Sequence, residues 1–182
     1  MRYGDFIQVA SGRRFYTFDP REDEIDIETI AHALSHLCRY TGHTSEFYSV
    51  GEHSVRVSLA CDPADALWGL LHDASEAFTG DLARPIKRMP EMAAFRAAED
   101  RIMAAVCRRF GLPPEMPASV RRADEILLAT EARDLMAPLD PGWAAWLRDI
   151  PALPGRIVPW TPGAARAVFV DRFVQLTSTE PL

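Results

Sequence analysis

The sequence predicts an all-α domain with a small N-terminal β-hairpin. The chain has 182 residues, a length typical of one domain with its own core. Apolar residues recur three and four positions apart through most of residues 27–176, which is the pattern of amphipathic helices. Only residues 6–18 show short β-favouring runs around a turn. We therefore predict one domain over residues 1–182, with a hairpin at about 6–18 and a helical core at about 27–136.

The composition and net charge of the chain indicate which kinds of molecule it can bind. The chain is 48% apolar and carries a formal net charge of -6, with no acidic or basic block. A protein without a basic stripe is a poor binder of duplex nucleic acid, whereas a small phosphorylated ligand needs only a few local cations. We therefore expect no duplex nucleic acid among the partners and leave a nucleotide open.

The cysteines and the apolar runs indicate the compartment. Cys38, Cys61 and Cys107 are odd in number, far apart and without a CxxC pair, which favours reduced thiols over a disulfide framework. The first residues contain no apolar signal-peptide core, and no run approaches the roughly 18 apolar residues of a membrane helix. A cytoplasmic location with no membrane partner is expected.

The predicted elements follow from these local patterns. The hairpin strands are residues 6–9 and 14–18, joined through Gly12. The first helix runs from Ile27 to a natural stop at Gly42, and the second opens at Ser49 or Gly51. Further helices are expected at residues 63–78, 90–110, 117–136 and 162–176. Residues 138–162 are predicted to be irregular, with core anchors at Trp143, Trp146 and Trp160.

The stretch 70–77 combines a buried helix face with three ionisable side chains. Leu67, Leu70 and Leu71 form part of the apolar face, and His72, Asp73 and Glu76 lie within the same two turns. Burying an imidazole beside two carboxylates is costly unless a cation pairs with them. The stretch therefore suggests a divalent-metal site, with Glu76 one turn along as a base. The alternative is a partly exposed helix whose charges are solvated.

Several other residues have simpler interpretations. His32 and His36 lie four apart on a helix but lack the intervening Glu of an HExxH site. Tyr48 and Phe47 can stack on a nucleobase or fasten their loop to the hairpin. Glu131 and Asp134 are interpreted as surface residues of a helix that pair with Arg133 or with a neighbouring subunit. None of these is included in the candidate catalytic set.

A longer motif extends the site beyond the helix. His53, then His72-Asp73, then Asp124 resembles the H…HD…D signature of the HD-domain metal-dependent phosphohydrolases. The strings Val-Gly-Glu-His-Ser at 50–54, His-Asp-Ala-Ser-Glu at 72–76 and Thr-Gly-Asp at 79–81, with Pro85 and Lys87, resemble two groups within that superfamily. These are the bacterial deoxyribonucleoside 5'-monophosphatases and the phage dATP triphosphohydrolases. The resemblance covers about half of the chain, from Arg39 to about Glu131.

The resemblance implies roles for individual residues. The resemblance implies that one divalent ion is bound by four residues, His53, His72, Asp73 and Asp124. Their nitrogen and oxygen ligand atoms suit Mn, Co, Fe, Ni or Zn. Glu76 and Asp81 are the implied catalytic acid-base groups. The implied substrate-binding residues are Arg39 and Lys87 on the phosphate, with Tyr40 and His43 nearby. Tyr40 stands where the monophosphatases carry Trp, and Gly51 where relatives often carry Ala or Ser.

The resulting expectation is an enzyme. We expect a divalent-metal-dependent phosphohydrolase that releases phosphate or triphosphate from a (deoxy)nucleoside 5'-phosphate, and a homodimer by the same resemblance. The alternatives are a regulatory HD module that binds metal and nucleotide without turnover, and a phosphodiesterase.

Overall fold

Helices make up most of the structure, a computed structural model that describes residues 2–178. The helices are α1 (Ile27–His36), α2 (Val50–Ala60), α3 (Ala66–Leu71), α4 (Glu76–Thr79), α5 (Arg84–Lys87), α6 (Ala93–Phe110), α7 (Ala118–Leu135), α8 (Pro141–Leu147) and α9 (Pro162–Thr177). The strands β1 (Ile7–Gln8) and β2 (Arg14–Phe15) pair antiparallel, with Ile7 opposite Phe15. The all-α fold with a small N-terminal hairpin is confirmed. No helix within the described residues is both long enough and apolar enough to cross a membrane.

Helix α2 lies at the centre of the fold and packs against α1, α3, α7 and α9. Two glycines allow its closest approaches. A Cβ atom on Gly51 would lie 2.7 Å from Ser35 Oγ of α1, and one on Gly69 of α3 would lie 3.0 Å from the Cα atom of Ser58 on α2. Each glycine is two or three residues before a histidine of the HD motif, so the close packing sets the spacing of His53 and His72.

We expect Gly69→Ala to destabilise the protein by about 1–3 kcal/mol, because the added methyl group overfills the contact between α2 and α3. The new Cβ would meet backbone at Ser58 as well as Cys61 Sγ at 2.9 Å, and the backbone cannot move aside as a flexible side chain can. Urea unfolding measures the change. The matched control is Gly163→Ala in α9, where a Cβ meets no atom within 4 Å. If Gly69→Ala were as stable as the wild type, the contact between α2 and α3 would have space for an extra methyl group.

Three of the predicted elements differ from the structure. Helix α1 ends at His36 instead of Gly42, because Leu37 and Cys38 are extended and Cys38 forms a β-bridge with Ser49. The helix predicted over 63–78 is divided into α3 and α4 by a tighter turn at residues 72–75. The irregular segment 138–162 contains the short helix α8, which begins at Pro141 with Asp140 as its N-cap.

The rest of that segment, residues 148–161, lies across the two helices that carry ligand candidates. The backbone N–H of Trp160 donates to Glu52 Oε2 of α2 at 2.7 Å. The N–H of Ile157 donates to Asp134 Oδ2 of α7 at 2.9 Å. The segment therefore connects α2 with α7, and Trp160 packs against the main core as predicted.

Trp143 and Trp146 do not belong to the core. Their side chains are 37% and 49% exposed, and their rings meet edge to face with centroids 5.8 Å apart. Helix α8 has only two turns, and its buried contact is made by Leu147, which leaves both indoles on the outer side. The prediction that these two residues are core anchors was wrong.

Candidate metal centre

The two histidines of the motif lie at helix ends, His53 near the start of α2 and His72 just after the end of α3. Ser49 caps α2 by accepting a hydrogen bond from the N–H of Glu52 at 3.0 Å, so His53 lies in the first turn. His72 follows the last residue of α3, where the chain tightens to i→i+3 hydrogen bonds such as Glu76 N–H to Asp73 carbonyl at 2.9 Å. Such short turns are typical of functional positions in helices.

Four polar atoms of the predicted ligands converge. His53 Nε2 lies 3.2 Å from His72 Nε2, and Asp73 Oδ2 lies 3.2 Å from His72 Nε2. Asp124 Oδ1, from α7, lies 3.2 Å from His53 Nε2. Both imidazoles are buried, whereas the two carboxylates are partly exposed. His53, His72 and Asp73 therefore converge in one group, and Asp124 joins it through its contact with His53.

The outer nitrogens of both rings are already engaged. His72 Nδ1 lies 2.8 Å from the carbonyl oxygen of Gly69, which can only accept, so Nδ1 carries the proton. His53 Nδ1 lies 2.6 Å from Glu131 Oε1 and donates to it in the same way. Each Nε2 then faces the other ring, and two imidazole nitrogens this close need a shared proton or a cation beside them. His53, His72 and Asp73 form a group that could hold a metal ion.

The charges of this cluster reinforce one another. Burial raises the pKa of Asp124, but the hydrogen bond and the charge of His53 lower it to about 2. Burial also raises the pKa of Asp73, yet His72, His53 and Arg39 bring it below its usual range. Both carboxylates are therefore ionised at neutral pH, the form in which they can bind a metal ion.

Arg39 lies beside the cluster on an unusual turn. Its Nη1 is 3.6 Å from Asp73 Oδ2 and its Nη2 is 3.2 Å from Glu131 Oε2. The next two residues, Tyr40 and Thr41, both have φ of 55°, in the left-handed region that non-glycine residues avoid. The Tyr40 hydroxyl donates to Glu131 Oε2. Tertiary contacts thus stabilise this turn. Gly42 is its last residue and, contrary to the sequence prediction, does not end α1.

Glu131 is the residue that the sequence interpretation placed wrongly. It is completely buried and accepts from Tyr40, Tyr48 and His53, instead of pairing with Arg133 at the surface. Asp134 does pair with Arg133, at 2.7 Å, as predicted. A signal for Glu131 was present in the spacing: it follows Asp124 by seven residues, two turns along the same face of α7.

Glu76 lies buried next to the cluster on α4. Its Oε2 has no hydrogen-bond partner within residues 2–178, and its Oε1 lies 4.0 Å from Lys87 Nζ. Burial, followed by the negative charges of Asp73 and Asp81, raises the pKa of Glu76 well above its usual range. Without a bound cation the carboxyl group is therefore protonated at neutral pH, and a cation beside it would favour the ionised form.

Lys87 is fixed by a residue that the sequence interpretation did not include. Glu99, a buried residue of α6, accepts a hydrogen bond from Lys87 Nζ at 2.7 Å. The pKa of Lys87 is raised, because that hydrogen bond and the charge of Glu99 outweigh the effect of burial. Lys87 therefore stays charged on the rim of the site. Nothing local in the sequence around Glu99 indicates this contact.

The remaining predicted residues divide into near and distant ones. Asp81 is partly buried, and burial and the negative charge of Asp73 raise its pKa against the effect of Arg39, so it lies near the cluster. His43 is exposed on the loop after Tyr40, and its side chain makes no hydrogen bond to another described residue. Its backbone N–H bonds the Tyr40 carbonyl at 3.0 Å.

The residues set aside in the sequence stay outside the cluster. His32 and His36 stack on each other with centroids 4.3 Å apart, and His36 Nδ1 bonds the His32 carbonyl. Tyr48 is fully buried, so it cannot stack on a nucleobase, whereas Phe47 is exposed. All three cysteines are free thiols, and Cys38 is exposed.

Comparison with known proteins establishes the family. No family model matches the chain. It is 41% identical over 175 residues to an uncharacterized protein of Escherichia coli (strain K12), YfdR, and this match covers 94% of the chain and 96% of YfdR. It is also 38% identical over 135 residues to an uncharacterized protein of Rhodobacter capsulatus, RCAP_rcc00048, covering 69% of the chain and 68% of that relative. The chain belongs to the same family as YfdR.

Proposed function

We propose that this protein is a divalent-metal-dependent phosphohydrolase that acts on (deoxy)nucleoside 5'-phosphates. The observation that carries the proposal is the pair of Nε2 atoms 3.2 Å apart, with both Nδ1 atoms bonded elsewhere and two carboxylates alongside. Two cationic side chains and a buried acid surround this pair. The resemblance to the HD-domain phosphohydrolases supports the same assignment.

The proposed ligands are His53, His72, Asp73 and Asp124. Two imidazole nitrogens and two carboxylate oxygens suit Mn, Co, Fe, Ni or Zn better than an ion that prefers oxygen alone. When bound, such an ion lowers the pKa of water and polarises a phosphoryl oxygen. The contacts of Glu131 and Gly69 with the two Nδ1 atoms keep both Nε2 atoms free for this purpose.

Glu76 is the proposed general base. Its buried, unpartnered Oε2 is free to accept a proton from the attacking water or to pass one to the leaving alkoxide. Asp81, which lies near the same cluster, is the proposed second proton carrier. A module that only binds metal and nucleotide would have no use for an acid held in this way.

Arg39 and Lys87 are the proposed phosphate-binding cations. Arg39 lies beside Asp73, and Lys87 lies beside Glu76. The two positive charges are therefore on either side of the place where a phosphate would bind. Phosphate esters carry charge that a site must balance before hydrolysis, and fixed cations do this without reorganisation.

Lys87→Met should raise the KM for phosphate substrates by about 10- to 100-fold, the equivalent of one charge-assisted hydrogen bond, with the bound metal retained. The matched control is Arg88→Met, which removes the next cation along the chain, an exposed one. Steady-state kinetics and metal analysis of both variants test the assignment. An unchanged KM in Lys87→Met would remove Lys87 from the phosphate site.

The function itself is tested with a substrate panel. Chelator-stripped protein receives Mn²⁺, Co²⁺, Zn²⁺ or Mg²⁺, and the release of phosphate and triphosphate is measured from ribo- and deoxynucleoside 5'-mono- and triphosphates. Metal-dependent turnover supports the proposal, and the released species separates a monophosphatase from a triphosphohydrolase. No turnover by protein that has bound metal would contradict it and favour a regulatory module. Turnover of cyclic dinucleotides alone would favour a phosphodiesterase.

A further inference from the structure

We infer that Glu131 is a positioning residue that couples metal binding to phosphate binding. This inference rests on the proposed function. It concerns the contact between the metal-binding half of the site, which contains His53, and the phosphate-binding half, which contains Arg39. One carboxylate touches both the imidazole of a proposed metal ligand, His53, and the guanidinium of a proposed phosphate ligand, Arg39.

The two oxygens of Glu131 serve different halves of the site. Oε1 accepts from His53 Nδ1 at 2.6 Å and from the Tyr48 hydroxyl at 2.9 Å. Oε2 accepts from the Tyr40 hydroxyl and lies 3.2 Å from Arg39 Nη2. The metal half therefore depends on Oε1 and the phosphate half on Oε2, within one rigid group.

Burial makes these contacts obligatory. Glu131 has no exposed surface, and a buried carboxylate is tolerated only when charge and hydrogen bonds compensate it. Four donors converge on it from α2, from the turn at Arg39–Gly42 and from the loop before α2. Moving the carboxylate to suit one half must therefore disturb the other.

The turn that carries Arg39 depends on the same carboxylate. Tyr40 and Thr41 both occupy the left-handed region, which is unfavourable for side chains with a Cβ atom. Such a conformation persists only where the surroundings hold it. The contact between the Tyr40 hydroxyl and Glu131 Oε2 supplies this support, so Glu131 controls where Arg39 points.

The experiment uses Mn²⁺ and inorganic phosphate as probes and needs no turnover. For Glu131→Gln we expect the Mn²⁺ affinity to fall by about 10- to 100-fold, as is typical when a residue supporting a metal ligand is altered. The phosphate affinity of the Mn²⁺-saturated variant should fall as well. The control is Asp134→Asn, which changes another buried carboxylate on the same helix that does not touch the cluster.

Two conservative variants perturb the two oxygens separately. Tyr40→Phe removes a donor to Oε2 and should weaken phosphate binding by about three- to tenfold at saturating Mn²⁺, and Mn²⁺ binding by a smaller factor, because both halves share one carboxylate. Tyr48→Phe removes a donor to Oε1 and should weaken Mn²⁺ binding most and phosphate binding less. A purely structural role would lower the stability of both variants without changing either affinity of the folded protein.

The outcomes are distinct. A Glu131→Gln protein that folds, loses Mn²⁺ affinity and keeps full phosphate affinity would overturn the coupling, as would tyrosine variants that each change only one of the two affinities. If Glu131→Gln does not fold, the tyrosine pair decides alone. Wild-type protein that binds both probes but hydrolyses no substrate would refute the proposed function and leave this coupling testable.

Discussion

Glu76→Gln is expected to lower kcat by about 10²- to 10⁴-fold, the range typical of a lost general acid-base group. The amide keeps the size of the side chain but cannot take a proton. Because Glu76 Oε2 has no hydrogen-bond partner within the described residues, the substitution breaks no contact there, and the fold and the bound metal should be retained. Steady-state kinetics at saturating metal measures the effect.

Glu115→Gln provides the control, since it makes the same chemical change at an exposed position before α7. It should retain wild-type kinetics. If Glu76→Gln left kcat within about threefold of wild type, far below the usual contribution of an acid-base group, Glu76 would not be the base. Asp81→Asn would then be the next variant to measure.

Asp73→Ala is expected to abolish activity by a different route, through loss of the metal. Its Oδ2 lies 3.2 Å from His72 Nε2 and 3.9 Å from His53 Nε2, so one ion could contact all three side chains. We expect the metal affinity to fall by more than about 100-fold, beyond the 10- to 100-fold typical of residues that only support a ligand. Metal analysis after dialysis, beside kinetics, measures both effects.

The two variants together separate metal binding from proton transfer. Asp100→Ala, an exposed aspartate on α6, controls for the loss of a carboxylate. If Asp73→Ala retained its metal and lost only turnover, the cluster of His53, His72 and Asp73 would not be the metal site. Loss of metal from Glu76→Gln would show that Glu76 binds the metal instead of transferring the proton.

Sequence patterns identified the elements that depend on local chemistry. The helices observed as α2, α6, α7 and α9 combine a regular apolar stripe with recognisable ends, such as Ser49 at the start of α2 and Gly111, in the left-handed conformation, after α6. The candidate metal ligands were identified by the resemblance to a known motif. The structure brings His53, His72 and Asp73 together in a group that could hold a metal ion, and Asp124 of α7 contacts His53.

The parts that sequence patterns missed depend on contacts between distant residues. The turn at Arg39–Gly42 is stabilised by Glu131, 91 residues beyond Tyr40, so no local pattern predicts its left-handed backbone. Glu131 resembles a surface residue of an amphipathic helix until α2 and the turn pack over it. Lys87 and Glu99 pair across two helices in the same way.

The exposed indoles of α8 illustrate the opposite error. Tryptophan is usually a core residue, and the sequence around Trp143 and Trp146 offers no clear helix. The structure places Leu147 inward and leaves both rings at the surface, with Arg84 of α5 stacked 5.1 Å from the Trp146 ring. Residue type alone could not decide which side of so short a helix is buried.

The proposed site is tested most directly by a metal titration of chelator-stripped protein, in which the bound ion and the hydrolysis of a nucleoside 5'-phosphate are measured in the same samples. We expect activity to rise in proportion to the bound ion and to reach its maximum at one ion per chain, and we expect His53→Ala neither to bind the ion nor to gain activity. Activity that is complete without bound metal, or that is unaffected in His53→Ala, would contradict the proposed site.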